Sequence, residues 1–135
     1  MASQSVELIL LKQVAGYLAT PVLLVDPDGM LLFYNEPAEE ILGLRYEETG
    51  EMPLTEWGTM FQPTDSSGAP IAPEDLPIAV ALKEDRPVQG DYWMKGMDGV
   101  SRHLAITALP LDGERGVNLG AMAVVWRLDS EGGEP

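Results

Sequence analysis

Apolar positions along this chain repeat at two different periods, and the change from one to the other divides it into elements. Near the start, Leu8, Leu11, Ala15 and Leu18 follow the three-four spacing of one helical stripe, while Val6, Leu10, Val14 and Tyr17 form a second. The spacing predicts a helix that Ser5 can cap and that runs to about Leu18. Contact with one sheet needs only one stripe. The second is therefore either sandwiched within its own fold or shared with another chain.

Thr20 and Pro21 break the helix, after which "VLLVD", "PDG" and "MLLFYN" read as two strands joined by a tight turn, with Gly29 supplying backbone freedom. Asn35 then stands at a helix N-cap, Pro37 lies in the first turn, Glu36 and Glu39 sit near the positive end of the dipole, and Gly43 closes the helix. Asn35 reads as a cap only, and the whole stretch from 26 to 43 reads as frame. From Tyr46 to Ala72 the pattern weakens under repeated Gly and Pro, which predicts loops and short helical turns anchored by Trp57, Met60 and Phe61. In "PEDLPIAVALKE", Leu76, Ala79 and Leu82 line one face of a helix that tolerates Pro77 only in its first turn.

The period then shortens. "PVQGDYWMKGMDG", "VSRHLAITALPL" and "GVNLGAMAVVWRLD" each offer a strand, with turns at "MDG" and "LDGERG", which predicts an antiparallel meander. Two strands, helices and three strands make an α+β plan in which the N-terminal hairpin joins the meander as one five-stranded sheet. The expected organisation is an N-terminal helix over 1–20, a single domain over 21–129 and a disordered tail over 130–135.

Charge changes the picture of what such a domain can meet. Eight basic against twenty-two acidic residues leave a net charge of −14, which repels phosphate backbones and anionic lipid surfaces, so nucleic acid is excluded as a partner class. The acidity serves solubility, with a basic docking partner as the alternative. The absence of cysteine removes disulfides, thiolate metal sites and thiol nucleophiles. The apolar run after "SVEL" is interrupted by Lys12 and preceded by no basic segment, so neither a signal peptide nor a membrane span is read, and the expected location is cytoplasmic.

The order of these elements resembles a PAS (Per-Arnt-Sim) domain over about Pro21 to Asp129. "VDPDG" followed by "NEPAEEILG" is similar to the family's strand, turn, strand and "N-x-A-x-x-x-L-x-G" pattern, with Asn35, Ala38 and Gly43 in place. "APEDLPIAVALKEDRPV" resembles the helix before the central strands, and "DGVSRHLAITALPL" and "GAMAVVW" resemble the two closing strands. The resemblance implies a five-stranded antiparallel sheet with short helices on one face and an N-terminal helix. It also implies a sensory or protein-interaction module whose ligand, when there is one, lies between sheet and helices. The candidate lining is Trp57, Met60, Phe61, Leu76, Ala79, Leu82, Tyr92, Met94, Leu104 and Ile106, taken from strand parity and helix face. These side chains can equally fill an ordinary core.

Residue types discriminate among cofactors. The resemblance to flavin-binding light sensors lacks their cysteine, and the helix that carries the axial histidine in haem-binding relatives has none here, so no cofactor is expected. The sole histidine, His103, lies on a strand, where it reads as a surface residue. An enzyme is not expected either. A remote proton-transfer reading would need Asp91 or Asp26 raised in pKa by an apolar cavity beside Tyr92 or Tyr34. Two function classes stay open: a sensor of a small apolar ligand in a signalling pathway, and a ligand-free module that dimerises or docks a protein partner. The family's "D-I-T"-like coupling motif after the last strand is matched only by "VVWRLDSE", with the aspartate displaced to Asp129, which puts direct coupling to an attached output domain in doubt. The stripe Val6, Leu10, Val14 and Tyr17 predicts a homodimer.

Overall fold

The structure is a computed structural model that describes residues 6–128; Ser5 and the tail after 128 lie outside the described residues. Helix α1 spans Val6–Tyr17, and the hairpin consists of β1 (Val22–Val25) and β2 (Leu31–Tyr34). Short helices follow: α2 (Glu36–Leu42), α3 (Tyr46–Thr49), α4 (Leu54–Met60) and α5 (Pro77–Glu84), the last entered through a tight helical turn over Pro73–Asp75. The meander is β3 (Val88–Lys95), β4 (Ser101–Asp112) and β5 (Asn118–Arg127).

The hairpin joins the meander as the pattern required. Strand order is β2-β1-β5-β4-β3, and every neighbouring pair is antiparallel. Alternation along the strands sends Val25, Met94, Leu104, Ile106, Ala123 and Val125 into one core beneath α2, α4 and α5. Among the described residues no helix is long and apolar enough to cross a membrane.

Val22 and Leu24 alternate with the core-facing Leu23 and Val25, yet they too are wholly buried. Helix α1 lies against β2, with Leu8 and Ala15 buried while Val6, Leu10, Val14 and Tyr17 face water. The first stripe meets the sheet and the second is left over, with Leu18 also outside.

Asn35 does more than cap. Its side-chain oxygen accepts from the Ala38 N–H at the start of α2 at 3.3 Å and from the Val22 N–H at 3.0 Å, while its amide donates to the Ala15 and Thr20 carbonyls, both at 2.9 Å. One buried side chain thus ties the end of α1, the start of β1 and the start of α2 together.

The opposite end of α2 is held by the β3–β4 turn. Arg102 donates to the Ile41 carbonyl at 2.8 Å and to both Asp98 oxygens, and the Met97 N–H donates to the Leu42 carbonyl at 2.8 Å. The Arg102 hydrogen bond, assisted by the Val100 N–H, holds the Asp98 carboxyl down at about 2, below its ordinary 3.8. A folded pKa below the unfolded one stabilises the native state above the unfolded value and loses that contribution as pH falls through the folded value. The melting temperature of Asp98→Asn should therefore lie below the parent at pH 5 to 7. The gap should close as pH drops from about 4 to about 2, and a gap that stays constant would show that the carboxylate charge contributes nothing.

Candidate ligand cavity

Between the core face of the sheet and the helices lies a cavity. Leu23, Leu31 and Val125 approach it from the hairpin and β5, and Tyr92, Met94 and Leu104 from the meander. The helices contribute Ala38, Ile41 and Leu42 from α2, Trp57 and Gly58 from α4, and Leu76 and Phe61 from the connecting segments, with Pro21 and Pro63 at the margins. Its free volume is about 40 Å³, where a single water needs roughly 10–15 Å³.

Local contacts explain why the wall stands where it does. The Trp57 indole N–H donates to the Gly29 carbonyl at 3.1 Å, which fixes α4 on the hairpin turn. A Cβ at Gly58 would come within 2.8 Å of Pro73, so α4 can lie against the turn that leads into α5 only because residue 58 has no side chain. The segment after α4 pairs with the sheet edge: Thr64 and Trp93 exchange backbone hydrogen bonds at 2.8 and 2.9 Å, and the Lys95 N–H donates to the Phe61 carbonyl at 2.8 Å.

Of the ten residues expected to line a site, Trp57, Phe61, Leu76, Tyr92, Met94 and Leu104 stand around the cavity. Ile106 is buried in the core, Met60 and Leu82 pack against its edge, and Ala79 is buried away from the cavity. The stretch read as frame enters the wall through Leu31, Ala38, Ile41 and Leu42. The three-four spacing of Ala38, Ile41 and Leu42 was the available signal, since it puts them on one face of α2.

Electrostatically the cavity is close to blank. The Tyr92 hydroxyl has no hydrogen-bond partner among the described residues, and burial pushes its pKa up to about 12. Tyr34, whose pKa burial also raises, donates instead to the Leu44 carbonyl at 2.9 Å, and Tyr46 donates to the Leu32 carbonyl. Asp26 accepts from the Asp28 and Met30 N–H groups of its own turn, both at 2.9 Å. Asp91 lies on the other face of β3 from Tyr92 and pairs with His103 at 2.8 Å, where the imidazole stacks on Trp93 with centroids 4.7 Å apart. No aspartate meets a tyrosine inside the apolar cavity, so the arrangement that a proton-transfer site would need is not formed by these residues. Among the described residues no group of three or more histidines or carboxylates could hold a metal ion.

Solved structures share this fold. The PAS domain of a protein from Colwellia psychrerythraea superposes with a TM-score of 0.63 at 17% identity, over 90% of this chain and 97% of that one. The chain has the PAS fold. A Rhodobacter sphaeroides LOV protein matches with a TM-score of 0.74 at 17% identity, covering 95% and 71% of the two chains. The PAS domain of the fruit-fly ELK potassium channel reaches 0.73 at only 8% identity, covering 93% and 100%. No protein-family model matches the sequence, and no curated protein matches it. At these identities the likeness lies in the fold alone.

Proposed function

We propose that this PAS domain is a sensory or regulatory module of signal transduction, without catalytic activity, that takes a small apolar ligand in its cavity and dimerises through α1. The observation that carries the reading is the apolar chamber enclosed between the sheet and α2, α4 and α5. A chamber lined by hydrocarbon and aromatic groups favours ligands that leave water readily, and any occupant would touch both the sheet and the helices. The coupling from there to α1 runs through α2, whose first turn shares Asn35 with Ala15 of α1.

The same lining argues against flavin and haem. The polar edge of a flavin ring carries several donors and acceptors, which here would meet only the committed Trp57 N–H and the Tyr92 hydroxyl. His103 stands on the outer face of the sheet, so it offers the cavity no axial nitrogen.

Dimerisation is supported by the exposed stripe of α1, in which Leu10 is 54% and Tyr17 90% exposed. Burying a Leu or Val side chain contributes roughly 1.5–3 kcal/mol, so two such stripes paired across a two-fold axis can outweigh the entropy of association. Although the chain carries −14, α1 itself bears only Glu7 and Lys12, and the two helices would meet with little local repulsion. Native mass spectrometry at micromolar concentration should give twice the 14.6 kDa chain mass, and gas-chromatographic analysis of an organic extract should find an apolar molecule released from the protein. Substituting Leu10→Asp and Val14→Asp together should yield monomer with an unchanged fold. A monomeric parent would defeat dimerisation, and a dimer whose extract is clean would favour the ligand-free docking module.

A further inference from the structure

Two residues that line the cavity carry a side-chain nitrogen or oxygen, Trp57 and Tyr92, and they differ in what they have left to give. The Trp57 N–H is committed to the Gly29 carbonyl at 3.1 Å. The Tyr92 hydroxyl, at the edge strand, has no partner among the described residues. Tyr92 is half-buried and lines the cavity, so an acceptor brought by a ligand would give its hydroxyl the partner that the protein does not. We propose that the cavity selects a small uncharged molecule, mostly hydrocarbon, carrying one acceptor to which the Tyr92 hydroxyl donates a hydrogen bond. The inference rests on the reading of the cavity as a ligand site.

Three observations set the class. Because burial holds the phenol protonated far above neutral pH, it remains a donor; its oxygen shares electron density with the ring, which makes it a better donor than acceptor. No lysine, arginine, histidine or amide side chain borders the chamber, so a carboxylate or phosphate would lose its hydration without compensation. The free volume of about 40 Å³, at roughly 10–15 Å³ for each water-sized sphere, admits about three or four non-hydrogen atoms, and the flexible Met94 thioether can yield room for another. Short ketones, aldehydes and ethers satisfy all three conditions.

The test is an amide NMR titration of the full chain and of Tyr92→Phe with three probes of similar size: 2-butanone, its alkene counterpart 2-methyl-1-butene, and butanoate. In the parent, 2-butanone should shift amides of α2, α4 and β3, and butanoate should not. In Tyr92→Phe, with an otherwise unchanged spectrum, the affinity for 2-butanone should fall about three- to tenfold while that for the alkene holds or rises. If the substitution changes both affinities by the same factor, or if butanoate binds as tightly as the ketone, the acceptor inference is overturned and the apolar cavity reading survives. If neither uncharged probe shifts the cavity amides, the cavity reading falls and takes the inference with it.

Discussion

Replacing Gly120 by alanine is expected to remove on the order of 4 kcal/mol or more of stability, a large fraction of what holds a domain of this size folded. Gly120 lies where β5 leaves its regular pairing with β4. Leu111 pairs with Gly120 but Asp112 pairs with Asn118, so Leu119 is the extra residue of a bulge. The bulge is stabilised by the Asn118 side chain, which accepts from the Gly120 N–H at 2.6 Å, and it requires φ of +126° at Gly120. A side chain there is strained by about 1–3 kcal/mol from the backbone angle alone. The larger difficulty is steric, because a Cβ would stand 1.9 Å from the Val25 carbonyl oxygen. That oxygen belongs to β1, which pairs with β5 from Val25↔Ala121 to Val22↔Val124, so the clash can be relieved only by prying apart the hairpin and the meander. Gly99 provides the control: its φ is +82° but nothing lies within 4 Å, so Gly99→Ala should cost only about 1 kcal/mol. Urea denaturation of the two variants measures the difference. Similar midpoints would show that β1 does not approach Gly120 this closely.

The sequence made the elements legible because their signals are local. Two stripes at helical spacing gave α1, turn residues around Gly29 gave the hairpin, and shortened periods with "MDG" and "LDGERG" gave the meander. The merging of hairpin and meander was legible for an energetic reason: a lone pair of strands as apolar as "VLLV" and "LLFY" cannot bury both of its faces. The choice between the stripes of α1 was not legible, since both are apolar and only the burial of Leu8 and Ala15 in the folded chain decides it. The cavity was legible in part. Parity placed Tyr92, Met94 and Leu104 on the correct face, but it carries no depth, so Ile106 on that face lies in the solid core. Reading the segment around α2 as mere frame hid Ile41 and Leu42, because a helix that caps well looks self-sufficient until the sheet it covers is known.

Asn35 shows the same limit most sharply, and its replacement is the other change from which a large effect is expected. The cap to Ala38 spans three residues and is visible in any sequence, whereas Ala15, Thr20 and Val22 lie thirteen to twenty residues upstream, beyond the reach of any local rule. Loss of a cap alone costs about 0.5–2 kcal/mol. Alanine would also strand the Val22 N–H and the Thr20 carbonyl and leave the Ala15 carbonyl with only the Leu18 N–H, so the expected loss for Asn35→Ala is about 3–5 kcal/mol. Asn35→Asp separates the two contributions: its carboxylate can still accept from Val22 and Ala38 but cannot donate to the two carbonyls, and it brings negative charge toward them. The aspartate variant should keep α2 and loosen α1. Amide hydrogen exchange would then rise over α1 while protection in the meander holds, and the dimer proposed to form through Leu10 and Val14 should weaken with it. A loss within about 2 kcal/mol for Asn35→Ala, with α1 equally protected in Asn35→Asp, would reduce Asn35 to the simple cap and remove the link between cavity and interface.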